Sequence, residues 1–184
     1  PEAADLVRAH YAEADVILEY GSGGSSFLGL DAGASLLMTV ESDKAWAESI
    51  DAKLAERFDR ARFLVHHVDM GETREWGYPI NASRYRNFHA YALSIFDQRA
   101  FRHPDLVLID GRFRVACFLA TMLRIERPVT VLFDDYIKRR RYHWVERFFK
   151  PVEFAGRMAR FELEPTALPR AHLTDIIGAF TDVR

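Results

Sequence analysis

The chain has 184 residues, 49% of them hydrophobic and 28% charged, which suits one folded domain over residues 1–184 and excludes disordered, collagen-like and low-complexity chains. A formal net charge of -2 argues against general nucleic-acid binding, and the sequence holds no apolar stretch of about 18 residues that could span a membrane. With a single cysteine and no visible export signal, we expect a cytoplasmic protein that acts on small molecules.

Apolar runs alternate with amphipathic segments along the chain. We predict strands for the runs, because strands buried on both faces of a parallel sheet have continuous apolar sequences, and helices for the segments. The strands cover residues 15–19, 36–40, 62–66, 106–110 and 129–133; the helices carry Trp46, Ile50, Leu54 and Phe58, then Phe88, Ala92, Ile95 and Phe96, then Val115, Leu119, Met122 and Leu123, and finally Trp144, Val145, Phe148 and Phe149. This pattern predicts an α/β fold, a Rossmann-like, mostly parallel twisted sheet with helices on both faces.

Two further segments fall outside that alternation. Residues 152–164 alternate weakly around Gly156 and are predicted to form an antiparallel pair of strands at the end of the sheet. Residues 69–84 contain Gly71, Gly77 and Pro79 and have no clear period, which predicts a long loop. Such a loop at the ligand-binding edge of a sheet often serves as a lid.

The turn between the first strand and the first predicted helix after it carries the strongest functional signal. It contains Gly21, Gly23 and Gly24, with Ser22 between the first two. Glycines permit positive backbone angles and the close approach of a ligand. The following helix presents free N–H groups and the positive end of its dipole to the turn, so the sequence predicts a polar ligand there.

Two acidic residues narrow the identity of that ligand. Glu41 ends the second strand, next to Ser42, where an acid typically accepts hydrogen bonds from ribose hydroxyls, and this predicts an adenosine derivative. Glu19 would repel the pyrophosphate of a nicotinamide dinucleotide but would attract the sulfonium and ammonium groups of S-adenosylmethionine. The sequence therefore favours S-adenosylmethionine, with a predicted binding set of Glu19, Gly21, Ser22, Gly23, Glu41 and Ser42.

At this point the sequence resembles the class I S-adenosylmethionine-dependent methyltransferases. Their first motif reads acid, any residue, glycine, any residue, glycine, and their second motif is an acid at the end of a strand. The matching residues here are Glu19, Gly21, Gly23 and Glu41. The resemblance implies that Asp69, just after the third strand, contacts the adenine amino group, and that Asp110 lies near the methyl-transfer centre and orients the acceptor.

Asp110, Asp134 and Asp135 follow two strands that we expect to be neighbours. Carboxylate oxygens that meet at one sheet edge could hold Mg2+ or Ca2+, as in the metal-dependent catechol-type O-methyltransferases that this part of the chain resembles. Those enzymes commonly carry a lysine base three residues after the first acid, where this chain has Phe113. The sequence leaves open a site without metal and an alternative site in which the three aspartates hold Mg2+.

Arginines near the same strand ends suggest how the acceptor is held. Arg112 and Arg114 stay protonated and suit a carboxylate or phosphate, so they are predicted to bind substrate together with Asp135. The resulting hypothesis is methyl transfer from S-adenosylmethionine to a small, anionic acceptor at oxygen or nitrogen. A non-catalytic module that binds an adenosine ligand, and an NAD-dependent oxidoreductase, remain as alternatives, and a homo-oligomer is left open.

Overall fold

A seven-stranded mixed sheet lies at the centre of the computed structural model, which describes residues 1–183. The strands are β1 (Val16–Tyr20), β2 (Leu36–Glu41), β3 (Phe63–His67), β4 (Thr73–Arg74), β5 (Tyr78–Pro79), β6 (Leu106–Ile109), β7 (Val129–Phe133), β8 (Glu153–Ala155) and β9 (Met158–Leu163). The sheet order is β3-β2-β1-β6-β7-β9-β8, and β9 runs antiparallel to both of its neighbours. All five predicted parallel strands are present to within one residue at each end, and the terminal antiparallel pair is confirmed.

Six α-helices are found in the described part of the chain, and four of them belong to segments with a predicted helical pattern or to the glycine turn. They are α1 (Glu2–Glu13), α2 (Gly24–Asp31), α3 (Lys44–Ala55), α4 (Phe88–Leu93), α5 (Arg114–Arg124) and α6 (Leu173–Ala179). The helix expected around Trp144 is instead a 3-10 helix, Arg140–Arg147. Its two buried residues, Tyr142 and Val145, are three positions apart, which is the repeat of a 3-10 helix.

The sheet is buried on both faces, as its continuous apolar sequences predict. Along β1, Ile17 packs into one apolar cluster with residues of α1, α2 and α3, whereas Leu18 packs into a second cluster with residues of α4 and α5. Both side chains are completely buried. Successive residues of a strand point to opposite faces, so this alternation places helices on both sides of the sheet.

The strand order reverses direction between β1 and β6. The chain runs from β1 outward through β2 and β3, then returns to place β6 on the other side of β1. The ladder continues past the strand ends, since the Asp110 N–H donates to the Tyr20 carbonyl at 3.0 Å and the Asp134 N–H donates to the Ile109 carbonyl at 3.0 Å. In open α/β sheets, ligands bind in the crevice at such a reversal, beyond the carboxyl ends of the strands.

The loop of residues 69–84 contains the short antiparallel pair β4 and β5 and lies over this edge of the sheet. It is attached to the end of β2, where the Ser42 hydroxyl donates to the Gly77 carbonyl at 2.9 Å. Within residues 1–183, no helix has the length and apolar character needed to cross a membrane.

Candidate active site

A cavity of about 1000 Å3 opens at the carboxyl ends of the central strands. Its wall has two halves, one from the glycine turn, the end of β2 and the β4–β5 segment, the other from the ends of β6 and β7. The first half comprises Gly21, Ser22, Gly23, Gly24, Ser25, Glu41, Asp43, Trp46 and residues 73–78, and the second comprises Asp110, Gly111, Arg112, Arg114, Asp134, Asp135, Arg139 and Arg157.

The glycines of the turn serve two different purposes. Gly21 has φ +96°, and a Cβ added there would lie 2.8 Å from backbone atoms of Gly111, so the fold itself requires this glycine. Gly23 has an extended φ of 175°, which any residue can adopt. A Cβ at Gly23 or Gly24 would meet no atom within 4 Å. Since both line the cavity, their missing side chains leave space that a ligand can fill.

Glu19 lies behind the glycine turn rather than in the cavity. Its carboxylate is fully buried and accepts hydrogen bonds from the Tyr11 hydroxyl at 2.6 Å and the Ser26 hydroxyl at 2.5 Å. Burial raises the pKa of Glu19, although these two bonds oppose the shift. Ser26 in turn accepts a bond from the Gly23 N–H at 3.2 Å. The predicted direct contact between Glu19 and a cationic ligand does not hold in this geometry; the carboxylate instead fixes the turn through Ser26.

Glu41 belongs to the cavity wall, and the contact with ribose hydroxyls expected of it stays a prediction. One of its carboxylate oxygens accepts hydrogen bonds from the Ser22 N–H at 3.3 Å and hydroxyl at 3.1 Å, and the other accepts one from the Ser42 N–H at 2.8 Å. A carboxylate has about four acceptor positions, so Glu41 can still accept bonds from a ligand. Ser42 is buried and is absent from the wall, and its hydroxyl donates to the Gly77 carbonyl, which argues against the predicted direct contact between its side chain and the ligand.

Asp69 does not reach the cavity, contrary to what the resemblance implies. Its exposed carboxylate accepts a hydrogen bond from the Gly71 N–H at 2.9 Å and lies 3.7 Å from the Arg84 guanidinium. The strand before it, β3, is the edge strand of the sheet, and both β2 and β1 lie between it and β6. The following segment, from Thr73 to Tyr78, covers the cavity instead.

Asp110 and Asp134 form a pair of interacting carboxyl groups in the second half of the cavity. The Asp110 side chain is half exposed, while Asp134 is buried. Partial removal from water, followed by repulsion from Asp134, raises the pKa of Asp110 to about 7. Burial alone would raise the pKa of Asp134, but hydrogen bonds from Arg157 and Asp110 outweigh it and lower the pKa. The pair therefore holds one exchangeable proton near neutral pH, on Asp110.

Arg114 is a structural residue rather than the predicted anion clamp. Its buried guanidinium donates to the carbonyls of Gly111 at 2.9 Å, Asp134 at 2.7 Å and Asp110 at 2.8 Å, and to the Asp110 carboxylate at 3.1 Å. These bonds tie the end of β6 to the end of β7. All three guanidinium nitrogens are engaged, which leaves Arg114 unsuited to bind a substrate anion.

The other carboxylates of the proposed metal alternative are likewise paired with arginines. Both oxygens of Asp134 accept bonds from Arg157, at 2.7 and 2.6 Å. Asp135 lines the cavity, where substrate binding was predicted for it, and its carboxylate accepts a bond from Arg139 at 2.9 Å. Within residues 1–183, no group of three or more His, Cys, Asp or Glu side chains is arranged to hold a metal ion. The three aspartates are therefore paired with arginines, whose positive charges take the place that Mg2+ would need, and the cluster does not fit the Mg2+ alternative.

Arg112 keeps the properties predicted for an anion-binding residue. It lines the cavity, and its guanidinium carbon lies 4.1 Å from the centre of the Tyr78 ring. Its Nε is buried and has no hydrogen-bond partner in the described part of the chain. A buried donor without a partner is costly, and the guanidinium that carries it is held by the Tyr78 ring rather than by a hydrogen bond.

The sequence interpretation missed Trp46 as a cavity residue, because four-residue spacing placed it on the apolar face of α3. The buried face of that helix instead runs through Ala47, Ile50 and Leu54. Trp46 lies at the rim of that face, about 40° from Ile50 but about 100° from Ala47 around the helix axis, and it is 45% exposed. Its indole N–H donates to the Ser22 carbonyl at 3.1 Å, which holds the ring against the glycine turn.

Arg157 was also missed, because no local pattern marks it. It follows Gly156 in the turn between β8 and β9, and the antiparallel pairing of β9 with β7 brings it to Asp134. Arg139 belongs to the basic run 138–141 after β7. Both arginines line the acceptor half of the cavity.

Comparison with known proteins identifies the family. No protein-family model and no curated protein sequence matches the chain. A methyltransferase-like protein from Silicibacter pomeroyi, solved as a crystal structure, is 43% identical with a TM-score of 0.87; the match covers 99% of this chain and 95% of that protein. The chain belongs to the class I S-adenosylmethionine-dependent methyltransferase superfamily.

More distant members of this superfamily share the fold alone. The O-methyltransferase TomG from Streptomyces achromogenes, solved with S-adenosylmethionine, is 17% identical with a TM-score of 0.57, over 89% of this chain and 78% of that one. A methyltransferase from Geobacter sulfurreducens is 11% identical with a TM-score of 0.58, over 89% and 80%. The resemblance drawn from Glu19, Gly21, Gly23 and Glu41 is therefore confirmed at the level of superfamily and fold.

Proposed function

We propose that this chain transfers the methyl group of S-adenosylmethionine to an oxygen or nitrogen atom of a small anionic acceptor. The observation that carries this proposal is a single cavity with two chemically distinct halves. One half offers the open glycine floor and Glu41, and the other offers Asp110, whose pKa is about 7. When bound, S-adenosylmethionine supplies a methyl group that its sulfonium already makes electrophilic, so no protein nucleophile is needed.

The donor half suits an adenosine-containing ligand with a charged amino-acid tail. Glu41 has acceptor capacity left for ribose hydroxyls, while Gly23 and Gly24 leave the turn open. Helix α2 begins at Gly24 and offers its free N–H groups and positive dipole end to a carboxylate. Glu19 supports this surface from behind, since it holds Ser26, which receives the Gly23 N–H.

On the acceptor side, Asp110 is the group that orients the acceptor and takes its proton. A base works best when its pKa is close to the working pH, and the pKa of Asp110 meets that condition. Asp134 stays ionised because Arg157 bonds both of its oxygens, and its charge strengthens the attraction of Asp110 for a proton. The remaining catalysis is positioning of the acceptor in line with the methyl group.

Arg112 is the residue from which we expect the acceptor to be an anion. Tyr78 supports the guanidinium, which belongs to a residue of the cavity wall and has no hydrogen-bond or ion-pair partner within residues 1–183, so it can bind a carboxylate or phosphate oxygen. Arginine suits such groups because its planar donors match two acceptor oxygens. The Arg114 guanidinium already donates to three carbonyls at the strand ends. Arg112 can bind a substrate anion without loss of an existing side-chain hydrogen bond.

A panel of methyl acceptors tests this function. Transfer of labelled methyl from S-adenosylmethionine is measured with hydroxyl and amine compounds that carry a carboxylate or phosphate, each matched with its neutral ester or amide. We expect transfer to anionic members, and Arg112→Ala to raise KM about tenfold with a smaller change in kcat, since a charge-assisted bond contributes about 1.5–3 kcal/mol. Rates should be equal with and without EDTA.

Other outcomes of the acceptor panel would contradict particular parts of the proposal. A preference for the neutral partners would contradict the anionic acceptor. Donor binding without transfer to any compound would favour the non-catalytic module, and NADH fluorescence enhancement on mixing would favour the oxidoreductase. Transfer that EDTA abolishes and Mg2+ restores would reinstate the metal alternative.

Gly21 and Gly23 provide a matched pair of substitutions that separates folding from donor binding. Gly21→Ala places a Cβ against the Gly111 backbone at a positive φ, so we expect a loss of about 1–3 kcal/mol in the free energy of unfolding. Gly23→Ala adds a methyl group to open space in the cavity wall, so stability is kept while affinity for S-adenosylhomocysteine falls about tenfold. Urea unfolding and calorimetric titration measure the two quantities. Unchanged affinity in Gly23→Ala would place the donor elsewhere.

A further inference from the structure

Two tryptophans border the donor half of the cavity. Trp46 is 45% exposed, with its indole N–H bonded to the Ser22 carbonyl. Trp76 is 82% exposed and lines the same cavity from the β4–β5 segment. Neither ring is needed to fill the core, because large apolar side chains in a core are buried.

The backbone of Trp76 lies in an unusual conformation, with φ 64° and ψ 25°. This left-handed region is sparsely populated by bulky residues and persists only where surrounding contacts enforce it. Two contacts do so here. The Ser42 hydroxyl holds the Gly77 carbonyl at 2.9 Å, and the Thr73 hydroxyl donates to the Asp43 carboxylate at 2.9 Å. The anchored β4–β5 segment therefore holds the exposed Trp76 ring at the cavity wall.

Both tryptophans are connected to Glu41 through one residue each. Ser22 donates to the Glu41 carboxylate and accepts the bond from Trp46. Gly77, next to Trp76, lies so close to Glu41 that an added Cβ would be 3.3 Å from its carboxylate oxygen. The ribose and the base of a nucleoside are directly bonded, so a base whose ribose binds Glu41 must lie beside these residues.

We propose that Trp46 and Trp76 form the binding site for the adenine ring of the methyl donor, with Trp76 closing over the bound base. This inference rests on the proposed function and assigns the base contact that Asp69 does not provide. An adenine ring offers two flat faces, and stacking on aromatic side chains is a strong and general mode of base binding. Closure also removes the exposed Trp76 ring from water and places it in contact with the base.

Affinity measurements on single variants test the assignment. S-Adenosylhomocysteine and adenosine are titrated calorimetrically into the wild type and into Trp46→Ala, Trp76→Ala, Trp76→Phe and Trp144→Phe. We expect about tenfold weaker binding of both ligands in each alanine variant, because both ligands contain the base. Trp76→Phe, which keeps an aromatic face, should stay within about threefold, and Trp144→Phe, which alters a residue outside this cavity, should equal the wild type.

A fluorescence experiment reports closure independently of affinity. In a Trp46→Phe, Trp144→Phe double variant, Trp76 is the sole tryptophan of the 3 in the chain. Saturation with S-adenosylhomocysteine should lower its quenching by acrylamide at least twofold. Unchanged quenching together with wild-type affinity in Trp76→Ala would overturn the role of Trp76, whereas failure of the wild type to bind S-adenosylhomocysteine would instead overturn the proposed function.

Discussion

Replacement of Asp110 by asparagine is expected to lower kcat for methyl transfer by about 100- to 1000-fold, the usual contribution of a general base. The amide has the same size but cannot accept a proton near neutral pH. The wild-type kcat should rise with pH through a limb near pH 7, because the pKa of Asp110 is about 7. The limb should vanish in the variant, while its affinity for S-adenosylhomocysteine stays within about threefold. Rate measurements between pH 5.5 and 8.5 and a calorimetric titration provide these values.

Asp69→Asn is the matched control for this experiment, since it makes the same chemical change at an exposed carboxylate outside the cavity. Both its kcat and its donor affinity should equal those of the wild type. If Asp110→Asn retains kcat within about threefold, or if the limb near pH 7 persists in it, Asp110 is not the base.

The pH dependence of stability should reveal the same carboxyl group. The pKa of Asp110 is about 7 in the folded chain, above an unfolded value of about 3.9, so the folded state binds more protons between these values. Its contribution to stability is therefore lost as pH rises from about 4 through 7. Asp110→Asn removes this loss, so its Tm relative to the wild type should be higher at pH 8 than at pH 5. Equal differences at the two pH values would contradict the raised pKa.

Replacement of Arg114 by methionine is expected to lower the free energy of unfolding by about 3–5 kcal/mol, because it breaks a buried ionic network from one side. The substitution would leave the carbonyls of Gly111, Asp110 and Asp134 without their donor. It would also leave the carboxyl groups at the end of β6 and β7 without their buried cation. Urea unfolding monitored by circular dichroism measures the change.

Two further variants make the Arg114 result specific. Arg114→Lys keeps the charge but cannot reach all of these acceptors at once, so its loss should be intermediate. Arg8→Met removes an arginine from an exposed ion pair with Asp5, and its stability should change by less than about 1 kcal/mol. A change of similar size in Arg8→Met and Arg114→Met would show that Arg114 does not hold the strand ends together.

The fold was largely predictable because its information is local. Each parallel strand is a short apolar run. A strand that is buried on both faces needs apolar residues at nearly every position, whichever elements pack against it. The 3-10 helix Arg140–Arg147 was not predicted, because its aromatic residues fit a helical period of 3.6 nearly as well as one of 3. Helices α1 and α6 were missed as well, since their buried faces are narrow: Leu6, Val7 and Tyr11 in α1, and Ile176 in α6.

The site was predictable only where position along a strand determines it. Glu41 and Asp110 follow strands whose carboxyl ends meet at one edge, so both reach the cavity. Glu19 was assigned a charge interaction with the ligand, but it lies inside β1 and turns toward Tyr11, a residue of a helix that the sequence did not reveal. Arg114 and Arg112 look alike in the sequence. Their difference arises from three strand-end carbonyls that only the folded chain brings together.

The loop of residues 69–84 was predicted from the sequence only in part. Its glycines and length predicted a lid, yet they did not predict which aromatic residue it presents. That choice depends on the anchors between Gly77 and Ser42 and between Thr73 and Asp43, which join residues 35 and 30 positions apart. The left-handed backbone of Trp76 follows from those anchors rather than from local propensity.

Calorimetric titration of the wild-type chain with S-adenosylhomocysteine tests the central claim most directly. We predict saturable binding of one molecule per chain, weakened about tenfold in Glu41→Ala, because the Glu41 carboxylate accepts the ribose hydroxyls. Absence of binding heat and of any thermal stabilisation in a folded sample, or equal affinity in Glu41→Ala, would contradict a donor site at the carboxyl ends of β1 and β2.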